Sequence, residues 1–88
     1  MEITRCASAG TMESSDAYVE IAPGTGGVRL ELESVVMAQF GEAIESSVQV
    51  LQELEVENAD VRVVDRGALE CVIRARVETA VLRGKEKD

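Results

Sequence analysis

VRLELE, residues 28–33, alternates without a break between apolar and charged side chains. Successive side chains of a strand point to opposite faces, so Val28, Leu30 and Leu32 share one face and Arg29, Glu31 and Glu33 the other. The stretch predicts a strand with one buried and one wet face, and hence a sheet that needs cover on one side only. Upstream, Ala17-Tyr18-Val19-Glu20-Ile21 alternates in the same way. Between the two lies Pro23-Gly24-Thr25-Gly26-Gly27, which no helix accommodates and which reads as a hairpin loop. Earlier still, the run from Ile3 to Met12 reads as a further strand, with small residues at Ala7, Ser8, Ala9 and Gly10. Downstream, Val61-Arg62-Val63-Val64 is another strand, ended by a turn at Asp65-Arg66-Gly67.

Two segments have helical period. From Val36 to Leu54 the apolar residues Val36, Phe40, Ala43, Ile44, Val48, Leu51 and Leu54 recur at spacings of three and four and make one stripe. Ser34 stands where an N-cap would be expected, and Gly41 inside the pattern costs about 1 kcal/mol against Ala. A second helix runs from about Ala68 to Leu82, with Leu69, Val72, Ile73, Val77 and Ala80 as its stripe and Gly84 and the charged tail to end it. Arg83 suits the negative end of that helix's dipole.

The order β-β-β-α-β-α predicts an α+β fold, a two-layer sandwich of a mixed four-stranded sheet with two helices on one face. Hairpins should join the first three strands, and a right-handed crossover should set the third and fourth parallel. The chain reads as a single domain over residues 1–88, with residues 83–88 a charged C-terminal tail.

A chain of 88 residues buries roughly 60–65% of the surface that its unfolded form exposes, so the core is thin. Hydrophobic residues make up 45%, with Phe40 and Tyr18 the only aromatics, so the core must be aliphatic and there is little to stack on bases. The net charge of −8 argues against nucleic acid and anionic membranes as partners and suits basic protein surfaces. Cys6 and Cys71 lack metal-ligand spacing, there is no histidine, and no metal site is expected. Free thiols are favoured over a disulfide, and the expected location is cytoplasmic, since neither a signal peptide nor a membrane span is recognisable.

Independent catalysis finds no support. The usual general base near neutral pH is missing, and most carboxylates sit on alternating strand positions or outer helix faces, where water is their plain partner. Gly24-Thr25-Gly26-Gly27 leads into a strand, whereas a phosphate cradle opens a helix. Cys71 lies on the shoulder of the second stripe and reads as a small packed residue. Arg76 falls inside that stripe: its stem lies along the core with its head at the edge or paired to a carboxylate, or else it docks a partner. In Glu13-Ser14-Ser15-Asp16 the serines form an exposed turn at a sheet end, where Ser and Asp side chains bond nearby backbone.

Residues 9–23, AGTMESSDAYVEIAP, together with QFGEAI at 39–44 and DRGALECVIRARVE at 65–78, resemble the acyl carrier (gamma) subunit family of citrate lyase. The likeness covers roughly Ala7 to Leu82 in order and spacing, with departures at the ends and in the PGTGG loop. It implies a non-catalytic carrier that bears 2'-(5''-phosphoribosyl)-3'-dephospho-CoA through a phosphodiester on Ser14, with Ser15 the lesser candidate. It implies citrate lyase alpha and beta subunits as partners in converting citrate to acetate and oxaloacetate, a prosthetic-group transferase, and a citrate lyase ligase for acetylation. Glu13, Asp16 and Arg76 are the docking candidates. Two alternatives remain open: a malonate decarboxylase-type carrier, and an acidic module that docks without covalent modification.

Overall fold

A computed structural model describes residues 2–35 and 40–85. Strands β1 (Ala7–Gly10), β2 (Ala17–Pro23) and β3 (Val28–Ser34) are followed by α1 (Phe40–Glu53), β4 (Ala59–Asp65) and α2 (Glu70–Lys85). The sheet order is β1-β2-β4-β3. The β1–β2 and β2–β4 pairs are antiparallel and the β3–β4 pair is parallel, so the mixed two-layer sandwich and the parallel crossover stand as expected.

Composition explains this order. β4 is buried at Ala59, Val61, Val63, Val64 and Asp65, and it takes the centre. β3 carries Arg29, Glu31 and Glu33 exposed along its outer side, a charge load that suits an edge strand and discourages further pairing. On the covered face Ala17, Val19 and Ile21 of β2 meet Val61 and Val63 of β4, with Leu30 and Leu32 of β3 beside them. Ile73, Val77, Ala80 and Val81 of α2 and Ala43, Val50 and Leu51 of α1 close over them. Each fully buried Val contributes about 1.5–3 kcal/mol relative to leaving it in water. On the open face Arg62 bridges Glu20 at 3.0 Å and Glu33 at 3.3 Å, and bonding to Glu33 first and Glu20 second raises its pKa. These exposed pairs add little stability.

Several expectations need correction. Pro23 to Gly27 is not a hairpin loop, because β4 lies between β2 and β3. The loop instead arches over the start of β4: the Ala59 N–H donates to the Gly27 carbonyl at 3.2 Å, and the Gly27 N–H donates to Asn58 Oδ1 at 2.9 Å. Ser34 ends β3, paired with Asp65, and its hydroxyl donates to the Asp65 carboxylate at 3.1 Å; the turn it was expected to cap lies outside the described residues. Val36, placed first in the helical stripe, lies outside the described residues, and α1 begins at Phe40. Val48 is exposed, while Ser46, Ser47 and Val50 are buried in its stead, because small serines let α1 lie close to its neighbours. Leu69 precedes α2 and is 71% exposed.

The C-terminal end also differs. α2 runs through Gly84 to Lys85, so Arg83–Lys85 are helix rather than tail, and residues 86–88 fall outside the described set. Gly84 is buried where an added Cβ would lie 3.1 Å from Ile21 and 3.2 Å from Ile3, and its carbonyl accepts the N–H groups of Thr4 and Arg5. The N-terminal segment thus docks on the last turn of α2, which is why this glycine does not end the helix. Cys6 and Cys71 are both exposed free thiols, so Cys71 is not a packed residue. Among the described residues no helix is long and apolar enough to cross a membrane, and no group of three or more His, Cys, Asp or Glu could hold a metal ion.

Candidate functional site

The connection between β1 and β2 is a short, heavily bonded turn. The Asp16 N–H donates to the Glu13 carbonyl at 3.2 Å and closes a four-residue turn with Ser14 and Ser15 at its centre. Ser15 has φ +65°, the sign that a type II turn demands at its third position and one that costs an L-residue about 1–2 kcal/mol. Tertiary bonds hold it there. The Ser15 N–H donates to the Arg66 carbonyl at 2.8 Å, and the Arg66 N–H donates to the Asp16 carbonyl at 2.9 Å.

The Asp16 carboxylate is the hub. It accepts the Thr11 hydroxyl at 2.7 Å, the Ala17 N–H at 2.7 Å, and both Nε and Nη2 of Arg76 at 3.1 Å. The fork-to-carboxylate geometry is the strong form of this contact. The Thr11 hydroxyl, then Arg76, then the Ala17 amide lower the Asp16 pKa from 3.8 to about 2. Thr11 also accepts the Glu13 N–H at 3.2 Å, so one hydroxyl ties both limbs of the turn. Just before it, Gly10 has φ +93°, and a Cβ there would run into the Ala17 carbonyl oxygen and sit 3.1 Å from Arg76 Cδ. Only glycine fits at this point.

Each residue singled out from the sequence lies in or against this turn. Ser14 and Ser15 are exposed, and neither hydroxyl has a hydrogen-bond partner among the described residues. Arg76 lies with its stem against Gly10 and its head on Asp16, so of the readings its place in the stripe left open the structure shows the pairing to a carboxylate. The two charges of that pair face each other, while Glu13 is exposed beside the serines. Thr11, Gly10 and Arg66 were not singled out. Thr11 and Gly10 stand inside AGTMESSD, but no periodicity marks them. Arg66 meets the turn only through tertiary pairing, and its side chain is exposed.

Chemically, the site can present an alcohol but cannot activate one. The chain has no histidine, and the one carboxylate fixed in the turn is saturated with donors. A hydroxyl held at the tip of a rigid turn, with no base beside it, suits modification by an external catalyst.

Comparison with known proteins gives the family. The family model for the malonate decarboxylase delta subunit (MdcD) matches residues 4–84. Citrate lyase acyl carrier protein 2 of Salmonella typhimurium strain LT2 is 54% identical, covering 99% of this chain and 92% of that protein. Citrate lyase acyl carrier proteins of Lactococcus lactis and Lactiplantibacillus plantarum are 51% and 47% identical, each covering 98% of this chain and 91% of the relative. Among solved structures, a chain of a Pseudomonas malonate decarboxylase hetero-tetramer superposes with a TM-score of 0.80 at 20% identity, covering 94% of this chain and 87% of that one; at that identity the likeness shows the fold alone. With a family model spanning nearly the whole chain and relatives at about half identity, the chain belongs to the acyl carrier family of the malonate decarboxylase delta subunit and, within it, to the citrate lyase acyl carrier proteins.

Proposed function

We propose that this chain is a non-catalytic acyl carrier subunit of a citrate lyase, and that Ser14 is the point at which 2'-(5''-phosphoribosyl)-3'-dephospho-CoA is attached through a phosphodiester. The observation that carries the reading is the exposed Ser14 hydroxyl, without a hydrogen-bond partner among the described residues, at the tip of a turn locked from beneath. The residues present fit such a group. A bulky phosphodiester needs an alcohol with open solvent on its far side and a backbone that does not yield when the group swings. When bound, the group supplies a terminal thiol that carries acetyl and citryl units as thioesters between the alpha and beta subunits.

The protein's own part is mechanical. Asp16, held by Thr11 and Arg76, fixes the direction in which Ser14 projects, and Gly10 lets β1 enter the turn close to Ala17. Tethering keeps the acyl group at high effective concentration at each successive active site. Glu13 and Arg66 flank the tip as candidate contacts for the transferase and the larger subunits, with a separate ligase to acetylate the thiol. A soluble cytoplasmic complex is the setting this chemistry implies. A malonate decarboxylase carrier is the second reading, favoured by the family model. The identities of 47–54% to citrate lyase carriers outweigh it.

The test is intact mass of the protein from cells making the citrate lyase maturation enzymes, with fragmentation of the tryptic peptide Cys6–Arg29. The expected result is one phosphodiester-linked adduct on Ser14. An unmodified chain beside its transferase rejects the carrier reading, and an adduct on Ser15 rejects the assignment to Ser14. Ser14→Ala should fold normally and fail to restore citrate cleavage to the alpha and beta subunits.

A further inference from the structure

Between the N-terminal halves of α1 and α2 lies a cleft of about 200 Å³, lined by Ala43, Ser46, Ala68, Leu69 and Ile73, with Glu42 and Glu70 exposed at its rim. Ser46 is 3% exposed, yet its hydroxyl has no hydrogen-bond partner among the described residues. Its neighbour Ser47 differs, donating back to the Ala43 carbonyl at 2.8 Å. No fully enclosed side-chain polar atom lacks a partner among the described residues, so the Ser46 oxygen opens into the cleft rather than being sealed in the seam. A hydroxyl so deeply placed ordinarily has a partner.

We propose that this cleft shelters the acetyl thioester end of the arm borne on Ser14 and turns away the same arm when its acyl group carries carboxylates. The inference rests on the carrier reading above. Size supports it: at roughly 30 Å³ per water-sized group, 200 Å³ takes six or seven heavy atoms. Methyl, carbonyl carbon and oxygen, sulfur, two methylenes and an amide nitrogen make up such an end. Ala43, Ala68, Leu69 and Ile73 give the lining its apolar part, about half of it, and Ser46 offers one donor for a carbonyl of the arm. A citryl group adds two carboxylates and overfills the space, and Glu42 and Glu70 repel it at the rim.

Reach supports it too. The Ser15 N–H bonds the Arg66 carbonyl, and Ala68 in the cleft wall follows two residues later. Fully stretched, that path puts the cleft within about 15 Å of the Ser14 hydroxyl, well inside the span of an arm built of a ribose, a nucleotide and a pantetheine chain. In hydrolysis, water adds its hydroxyl to the acetyl carbon as the C–S bond breaks, and its proton goes to sulfur. A thioester in the cleft is screened from that attack, whereas the carboxylated form stays outside, available to a partner's active site.

The experiment uses the full chain loaded on Ser14, in a Cys6→Ser, Cys71→Ser background so that the arm's sulfur is the sole thiol. Amide NMR shifts are compared for free-thiol, acetyl and succinyl forms. The expected result is shifts at Ala43, Ser46, Leu69 and Ile73 in the acetyl form that are absent in the succinyl form. Acetyl loss should be about fivefold or more slower than from acetyl-coenzyme A under the same conditions, and Ser46→Leu, which fills the cleft, should abolish the protection. Equal loss rates with no acetyl-specific shifts overturn the proposal, and so do identical shifts from both acyl forms. Should Ser46→Leu not fold, the shifts in the unsubstituted protein decide alone. Failure to load at all is read from the intact mass beforehand and strikes the carrier reading instead.

Discussion

Replacing Gly10 by Ala tests whether the serine turn is rigid by construction. Gly10 has φ +93°, and the added Cβ would overlap the Ala17 carbonyl oxygen while standing 3.1 Å from Arg76 Cδ. The dihedral alone costs an L-residue about 1–2 kcal/mol. Relieving the overlap means parting Gly10 from its sheet partner Tyr18 or pushing Arg76 off Asp16, which forfeits one or two hydrogen bonds at about 1 kcal/mol each. The sum is about 3 kcal/mol, a large share of the roughly 4–13 kcal/mol available to a chain of this size. With a urea slope of about 1.5 kcal/mol/M, the unfolding midpoint should fall by about 2 M. Gly26→Ala and Gly27→Ala are the controls. Both have positive φ, but their added Cβ atoms meet nothing within 4 Å, so only the dihedral cost of about 1–2 kcal/mol applies. A Gly10→Ala midpoint no lower than the controls would mean that the close approach of β1 to Ala17 is not what shapes the turn.

Asp65 is fully buried, and its carboxylate accepts the N–H groups of Gly67 and Ala68 at 2.9 Å and the Ser34 hydroxyl at 3.1 Å. Asp65→Ala orphans these donors and should lose about 3 kcal/mol in denaturant titration. Gly41 sits in α1 with open space where a Cβ would go, so Gly41→Ala should gain about 0.5–1 kcal/mol, seen as a raised urea midpoint. The Asp16 pKa is depressed in the fold, so its pairing stabilises the protein above the ordinary value of 3.8 and is lost as pH falls through about 2. Carboxyl carbon NMR should find that midpoint near 2 and see it rise in Thr11→Val, which removes the strongest of its donors; an unmoved midpoint rejects the hub role of Thr11. Arg66→Glu should slow attachment at Ser14 by the transferase without changing the unfolding midpoint, because the Arg66 contacts to the turn are backbone ones.

How far the sequence carries depends on whether a signal is local. Strict alternation in VRLELE and AYVEI found β3 and β2, since a sheet covered on one face writes its pattern directly into the chain. Their relation was not legible from alternation, because a glycine-rich loop suits a hairpin and an arch equally well. The order had a weaker signal in composition. β4 carries Val61, Val63 and Val64 in succession, as a central strand does, while β3 carries a charge at every second position, as an edge does. In α1 the apolar count favoured Val48, but the packed arc runs through Ser46, Ser47 and Val50. A serine that returns its hydroxyl to the preceding turn, as Ser47 does, packs like a small apolar residue, and hydropathy misses it.

The turn shows the same limit at higher resolution. ESSD was legible as a turn, and the resemblance singled out Ser14 within it. Arg76 was anomalous in its helix, and a carboxylate partner was one of the readings that the anomaly left open. Its partner stands 60 positions earlier, and no pattern within α2 could name it. Once Asp16 is that partner, the division of labour in the turn becomes intelligible. Thr11, Asp16 and Arg76 use their polar atoms on one another, and Gly10 and Ser15 take the backbone conformations that let them do so. Ser14, whose hydroxyl has no partner among the described residues, is the group left to face solvent. If Ser14 bears the arm as proposed, a carrier gains from this asymmetry: the motion belongs to what hangs from the alcohol, and the alcohol itself is held still.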